Sequence, residues 1–284
     1  MPELPEIETV RADLVRLIKG KEIRKIKINL IKQVKNTKSV FLREVEGTTI
    51  KDVRRRAKIL IWELSSGKYL IFHFKMTGQL IYRGKHGEVS GGGHSIKQSL
   101  KDLPNKYSHV IFEFSDGSKI FFNDTRQFGW VKKVNQVELD EISNNLGPEP
   151  LEINFNNFVK LFKNKQAVIK PLLMNTKFIA GIGNIYASEV LFCAGIDPRR
   201  KVSRLNASEL KKLYDYIKKI LKLAISKKGT SSQDYVDAFG RQGSMGNYLK
   251  VYGREGEKCK KCRSKILKIK QAQRSTFYCE KCQK

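Results

Sequence analysis

Acidic residues are scarce in this chain of 284 residues: 28 Asp and Glu stand against 56 Lys and Arg. The formal charge is +28 and the pI about 9.9. Such an excess calls for a polyanionic partner, nucleic acid first and an anionic membrane surface second. Long apolar runs are missing too. None approaches the roughly 18 residues that span a bilayer. The acidic, proline-containing start lacks the basic and apolar regions of a signal peptide. The expectation is therefore an intracellular, cytoplasmic protein. Cysteine is limited to five residues, four of them paired by spacing near the end, while Cys193 stands alone in an apolar helix. No nucleotide-phosphate loop and no open metal site is visible. What is present is enough apolar residue, 40%, for real cores, in a length that suits two domains.

The first ten residues carry the most chemistry. A proline directly behind the initiator methionine, Pro2, leaves a secondary amine at the chain start once Met1 is removed. An α-amino group titrates at about 8, so a sizeable fraction is neutral and nucleophilic near pH 7. A secondary amine condenses with an aldehyde to a cationic iminium, an electron sink. Glu3 lies beside it and Glu6 follows on the first helical turn, which brings candidate acid/base groups to the nucleophile. The same residues also suit a plain helix start, with Pro5 as a good first helical residue. Residues 6–19 read as an amphipathic helix stopped by Gly20, which would hold the terminus in place.

Residues 22 to about 134 read as strands of an antiparallel sandwich or barrel, with hairpin turns at Ser65-Ser66-Gly67 and Asp116-Gly117. Residues 84–104, with Gly91, Gly92, Gly93 and Pro104, read as a mobile surface loop. Basic residues mark strand ends. Lys58 precedes a buried run, a place where a lysine is ordinarily a solvated edge residue. Met76, Arg126 and Phe128 sit at turns. Exposed together, they are what a protein needs to wedge open a base stack. Composition turns helical after a linker at residues 144–150. Residues 156–163 and 184–194 read as short helices, and Asn206 to Glu209 as a capping box opening a helix to Ser226. Gly181 and Gly183 just before Asn184 suit a phosphate seat, to which Lys165 and Lys170 could add contacts, and equally an ordinary tight turn between helices. Residues 227–248 are polar and glycine-rich and suit either a flexible lid or a plain disordered connection.

Cys259 and Cys262, then sixteen residues, then Cys279 and Cys282 form two knuckles. That spacing makes a closed four-thiolate site for one structural Zn2+. Between the knuckles two short strands form a hairpin, with Gln271 to Arg274 at its tip.

Together and in this order these stretches resemble the bacterial formamidopyrimidine-DNA glycosylase family, base-excision-repair enzymes with a helix–two-turns–helix element and a zinc ribbon. The resemblance covers nearly the whole chain: PELPEIETV at 2–10, the Arg-Ala-Lys at 56–58, LGPEPL at 146–151, IKPLLMN at 169–175, GIGNIYASE at 181–189 and the cysteine tail with QRSTFYC. It implies an α+β fold. Residues 1–135 would be an N-terminal β-sandwich catalytic domain with an N-terminal helix, and 136–150 a linker. Residues 151–248 would be a helical helix–two-turns–helix domain with a capping loop, and 249–284 a zinc finger. Pro2 would attack C1′ of the damaged nucleotide, with Glu3 as acid/base. Lys58 and Arg274 would assist the eliminations. Met76, Arg126 and Phe128 would fill the vacated stack, and Lys170 and Asn184 would seat the backbone. Glu6, Tyr107, His109 and Lys165 complete the expected DNA contacts. Gln127 stands where many members have a second arginine, Tyr107 where some have histidine, and the 84–104 loop is longer than the family leads one to expect.

The resemblance implies a monomeric bifunctional glycosylase and abasic-site lyase. It would act on double-stranded DNA with oxidised purines or abasic sites and cleave the strand by β,δ-elimination. Two other readings remain open at this point: excision of oxidised pyrimidines in the manner of endonuclease VIII, and non-catalytic binding of damaged DNA.

Overall fold

The computed structural model describes residues 1–94, 102–230, 235–236 and 243–284. The chain forms two compact units, of which the first comprises residues 1–144 and 227–246. It opens on helix α1 (Leu4–Ile18), whose Ile7, Val10, Leu14 and Ile18 recur at helical spacing and are all buried. Then follow β1 (Ile23–Ile28), α2 (Lys38–Val45), β2 (Ile50–Arg56), β3 (Ile59–Leu64), β4 (Tyr69–His73), β5 (Gly78–Arg83), β6 (Val89–His94), β7 (Ser108–Phe114), β8 (Lys119–Asp124), β9 (Trp130–Val134) and α3 (Gln136–Asn144). The late strand β10 (Tyr235–Val236) returns to this unit.

Two antiparallel sheets result, in the orders β2-β3-β4-β9 and β1-β7-β8-β5-β6-β10. The two-residue period decides which side chains face inward. On β7, Val110, Phe112 and Phe114 enter the main core, whereas Ile111 joins a smaller cluster on the other face. Trp62 of β3 lies 4.6 Å from Phe72 and 5.2 Å from Phe112, so aromatic rings of both sheets meet in tilted and edge-on pairs. Helix α1 packs its apolar face into the same core. The sandwich read from strand periodicity is present.

Three segments differ from the sequence reading. Helix α2 was not anticipated, because only Phe41 and Val45 are buried in it, too few to show a period. Residues 89–94 are a strand and not a surface loop: Gly91, Gly92 and Gly93 pair with Ile81, Leu80 and Gln79. Glycines carry no side-chain alternation, so their ladder leaves no trace in the pattern. The remainder of that stretch, 95–101, lies outside the described residues. Residues 136–144, assigned to a linker, form α3. Of the expected lid, 231–234 and 237–242 also lie outside the described residues, while β10 pairs with β6.

The second unit comprises residues 145–226 and 247–284. It holds α4 (Phe155–Phe162), α5 (Ile169–Leu173), α6 (Asn184–Ala194), α7 (Ala207–Ser226) and the hairpin β11 (Leu267–Gln271) and β12 (Arg274–Tyr278). The capping box at α7 is real: Glu209 N–H donates to Asn206 Oδ1 and Asn206 N–H to Glu209 Oε2, both at 2.9 Å. Helix α6 ends at Gly195 in the left-handed region, φ +73°. No described helix is long and apolar enough to cross a membrane.

Helix α6 is buried almost all round and carries a carboxylate inward. Glu189 accepts the backbone N–H groups of Lys250 at 2.8 Å and of Val251 and Tyr252 at 2.9 Å. Burial raises its pKa, and the three donors oppose that shift. This contact fixes the chain entering the zinc hairpin. Glu189→Gln leaves one amide oxygen for three donors and should destabilise the protein by about 2 kcal/mol, read as a lower urea midpoint.

Candidate active site and nucleic-acid interface

In the first unit Met1 is exposed, whereas Pro2 and Glu3 are buried. Glu6 holds this start in place. Its Oε2 accepts the Glu3 N–H at 2.9 Å, and its Oε1 accepts the Thr230 N–H at 2.9 Å. One carboxylate therefore fastens the chain start and the base of the 227–246 segment. Space there is tight. A β-carbon at Gly229 would stand 2.8 Å from Glu6 Cγ, and one at Gly243 would stand 2.2 Å from the Gly229 carbonyl oxygen. Gly229 also has φ +78°, which disfavours other residues.

Arg55 ties helix α1 to the turn before β3. Its Nε donates to Glu8 Oε2 and its Nη1 to the Ala57 carbonyl, each at 3.0 Å. Ala57 sits at φ +54°. Lys58 follows and is buried, 6% exposed, so it is not the solvated edge residue that its position suggests.

The wedge candidates lie on two loops of this unit, and Asp124 joins them. This carboxylate, 1% exposed, accepts the Thr77 hydroxyl and, at 3.1 Å, the Arg126 N–H on Oδ1. On Oδ2 it accepts the Gly129 N–H at 2.6 Å and Gln33 Nε2 at 3.3 Å. Thr77 follows Met76, so the Met76 loop and the Arg126–Phe128 turn are locked to one another. Phe128 is 55% exposed, and the Arg126 guanidinium lies 5.0 Å from its ring centre. Met76 is partly buried. Gln127, at φ +56°, is exposed between the two. His73 accepts the Lys75 N–H at Nδ1, 3.0 Å. Burial, with Lys75 and Lys58 nearby, pushes its pKa down to about 4, so the ring is neutral at pH 7.

His109 and Tyr107, two further expected DNA contacts, lie beside Asp124. His109 is buried, 4% exposed, with Nε2 2.8 Å from the Asp124 carbonyl oxygen. Its side chain braces the turn that carries Arg126 and Phe128. Tyr107 is partly buried, and its carbonyl accepts the Asp124 N–H at 3.1 Å.

In the second unit Lys170 and Asn184 do meet, and the zinc hairpin meets them. Lys170 Nζ donates to Asn184 Oδ1 and Thr276 Oγ1, both at 2.7 Å, and to the Ser275 carbonyl at 3.3 Å. Asn184 Nδ2 donates to the same carbonyl at 3.0 Å. A cavity of about 200 Å3 opens beside them, lined by Lys170, Met174, Gln271 and Arg274 among others. Arg274 is exposed where the hairpin turns through Ala272 and Gln273, at φ +45° and +60°. Lys165 is exposed after α4 and makes no side-chain hydrogen bond to this cluster among the described residues.

The four tail cysteines place their sulfurs within 4.8 Å of one another. Cys262 and Cys279 are 3.4 Å apart, and Cys259 and Cys282 3.9 Å. A tetrahedral Zn–S bond of about 2.3 Å sets the sulfurs about 3.8 Å apart, so the donor set fits one structural zinc. Phe192, Val251, Ile266 and Phe277 pack around the knuckles.

Sequence reasoning missed Asp124, Arg55 and Thr276. Asp124 stands in a turn where an aspartate is unremarkable, and nothing local shows that it is buried. Metal should belong to the fold here. The native protein should contain one equivalent of zinc by atomic absorption. Cys279→Ser should contain none and melt lower.

Residues 1–131 match the formamidopyrimidine-DNA glycosylase N-terminal domain, residues 146–236 the formamidopyrimidine-DNA glycosylase H2TH domain, and residues 256–284 a zinc finger found in FPG and IleRS. The formamidopyrimidine-DNA glycosylase of Carboxydothermus hydrogenoformans is 41% identical, with 100% of each chain covered. The Lactococcus lactis Fpg in complex with abasic-site DNA superposes with a TM-score of 0.88 at 33% identity, covering 99% of each chain. MutM in complex with DNA containing carbocyclic 8-oxo-G superposes at 0.87 and 33%, over the full length of both chains. The domain matches in their order, the full-length identity and the shared fold agree: this chain belongs to the formamidopyrimidine-DNA glycosylase family.

Proposed function

We propose that the chain removes oxidised purines from duplex DNA and then cleaves the strand, with the Pro2 amine as nucleophile. The observation that carries this reading is the double grip of Glu6 on the Glu3 and Thr230 amides. It holds the chain start rigid, which a catalytic amine needs. Its setting is a family whose solved members hold abasic-site and 8-oxo-G DNA.

A base inside a duplex is out of reach, so it is flipped out at a cost of a few kcal/mol. Arg126, Phe128 and Met76 fill the vacated stack. Pro2, freed of Met1, attacks C1′ with its lone pair; the C1′–N bond to the base breaks, and the base leaves with that electron pair and takes up the proton that the amine gives up. Glu3 delivers a proton to the sugar ring oxygen as the ring opens. The product is an iminium between Pro2 and C1′. It acidifies the C2′ proton; loss of that proton expels the 3′ phosphate, and a second elimination expels the 5′ phosphate. Lys58 and Arg274 hold charge at these leaving groups, and Lys170 and Asn184 seat the phosphate backbone. The rest of the +28 charge binds DNA without sequence preference and with steep salt dependence. Such a substrate keeps the enzyme with the chromosome in the bacterial cytoplasm.

Borohydride added to untagged, methionine-processed protein on an 8-oxoguanine duplex should trap a covalent complex. Pro2→Gly should abolish it and the strand cut. Undiminished cleavage by Pro2→Gly protein of verified mass would refute the reading. Asp124→Asn should slow base excision by about ten- to a hundredfold through misplaced wedge loops. It should cut a ready-made abasic site with a smaller loss. Single-turnover assays with 2-aminopurine beside the lesion separate the two steps.

A further inference from the structure

The outer face of the six-stranded sheet carries its own apolar cluster, Ile81, Leu103, Ile111 and Phe121, separate from the main core. A cavity of about 400 Å3 opens over it. Ile111, Phe121, Leu103 and Pro104 line its apolar part, and Lys27, Arg83, Lys85 and Lys119 line its basic part. The one carboxylate in the lining, Glu113, is bonded to Lys119 at 2.9 Å. Arg83 donates to the Leu103 carbonyl at 3.0 Å and so fixes one wall. Lys27 and Lys85 are exposed, and among the described residues no carboxylate pairs with either.

The position of this cavity excludes the wedge surface. Strands β5 and β8 pair Gly78 with Asp124 at the wedge end and Arg83 with Lys119 at the other. Strand rise sets the two ends about 17 Å apart. A duplex on the wedge loops leaves the cavity free. Nor does a duplex suit it, since the phosphates of a convex cylinder do not reach an apolar floor. The complementary ligand has carboxylates around a bulky apolar group.

We propose that this cavity docks an acidic segment of another protein, with one apolar side chain over Ile111 and Phe121 and its flanking carboxylates on Lys27 and Lys85. The inference stands on the cavity and does not depend on the glycosylase reading.

Fluorescence anisotropy with a labelled pentapeptide tests it, a phenylalanine with two aspartates on each side. The full-length protein should bind this probe. Replacing the aspartates by asparagine, or the phenylalanine by alanine, should weaken binding at least about tenfold. Lys27→Glu with Lys85→Glu should do the same while DNA cleavage persists. Lys212→Glu with Lys219→Glu, an equal charge change on exposed α7 positions, should alter affinity less than about twofold. Equal loss in both double variants would reduce the effect to net charge and overturn the proposal. So would tight binding of the alanine peptide, or displacement of the probe by an undamaged duplex.

Discussion

One carboxylate with an amide on each oxygen sets the geometry on which the proposed chemistry depends. Glu6, 224 positions from Thr230, joins the backbone just after Pro2 to the backbone at Thr230. A nucleophile at a chain terminus is otherwise the most mobile group a protein has. Asp124 does the corresponding work for the wedge loops, and Glu189 for the approach to the zinc hairpin. In a chain with half as many acids as bases, these acids serve inside the fold as clamps for backbone N–H groups. Each is worth more there than on the surface, because a buried carboxylate with charge-assisted hydrogen bonds is neither screened nor hydrated.

The bases do the reverse. Most lysines and arginines remain at the surface, where they meet a polyanion. The exceptions are informative. Lys170 is 1% exposed, yet its ammonium is shared among Asn184, Thr276 and the Ser275 carbonyl. These partners come from two stretches far apart in sequence, residue 184 and residues 275–276. The hydrogen bonds hold the turn before α6 against the hairpin that carries Arg274. The zinc knuckles thus act on the Lys170–Asn184 pair through β12.

What the sequence made legible was local. Turn glycines, the Asn206–Glu209 box, the cysteine spacing and the apolar period of α1 each announce themselves within a few residues. The motifs also identified the family. What stayed hidden depended on long-range contact. The glycine strand β6 exists because β5 and β10 offer backbone partners, and no pattern of side chains could report that. His109 is expected to touch DNA only through the family resemblance, and nothing in its neighbours shows that it is buried. Its ring is instead buried, with Nε2 at the Asp124 carbonyl, where the β7–β8 register shifts between Ser108 and Val110. The proximity of Met76 to Arg126 and Phe128 rests on one aspartate that composition cannot single out.

The narrow neck formed by Gly229 and Gly243 links the fates of residues that a linear view keeps apart. A side chain arising at 229 collides with the stem of Glu6, whose head orients the amino end of the chain. A side chain at 243 collides instead with the Gly229 and Lys228 carbonyls, so a shorter residue at position 6 relieves the clash at 229 alone. The amino end of the chain and the turn at 229 are in that sense inherited as one part.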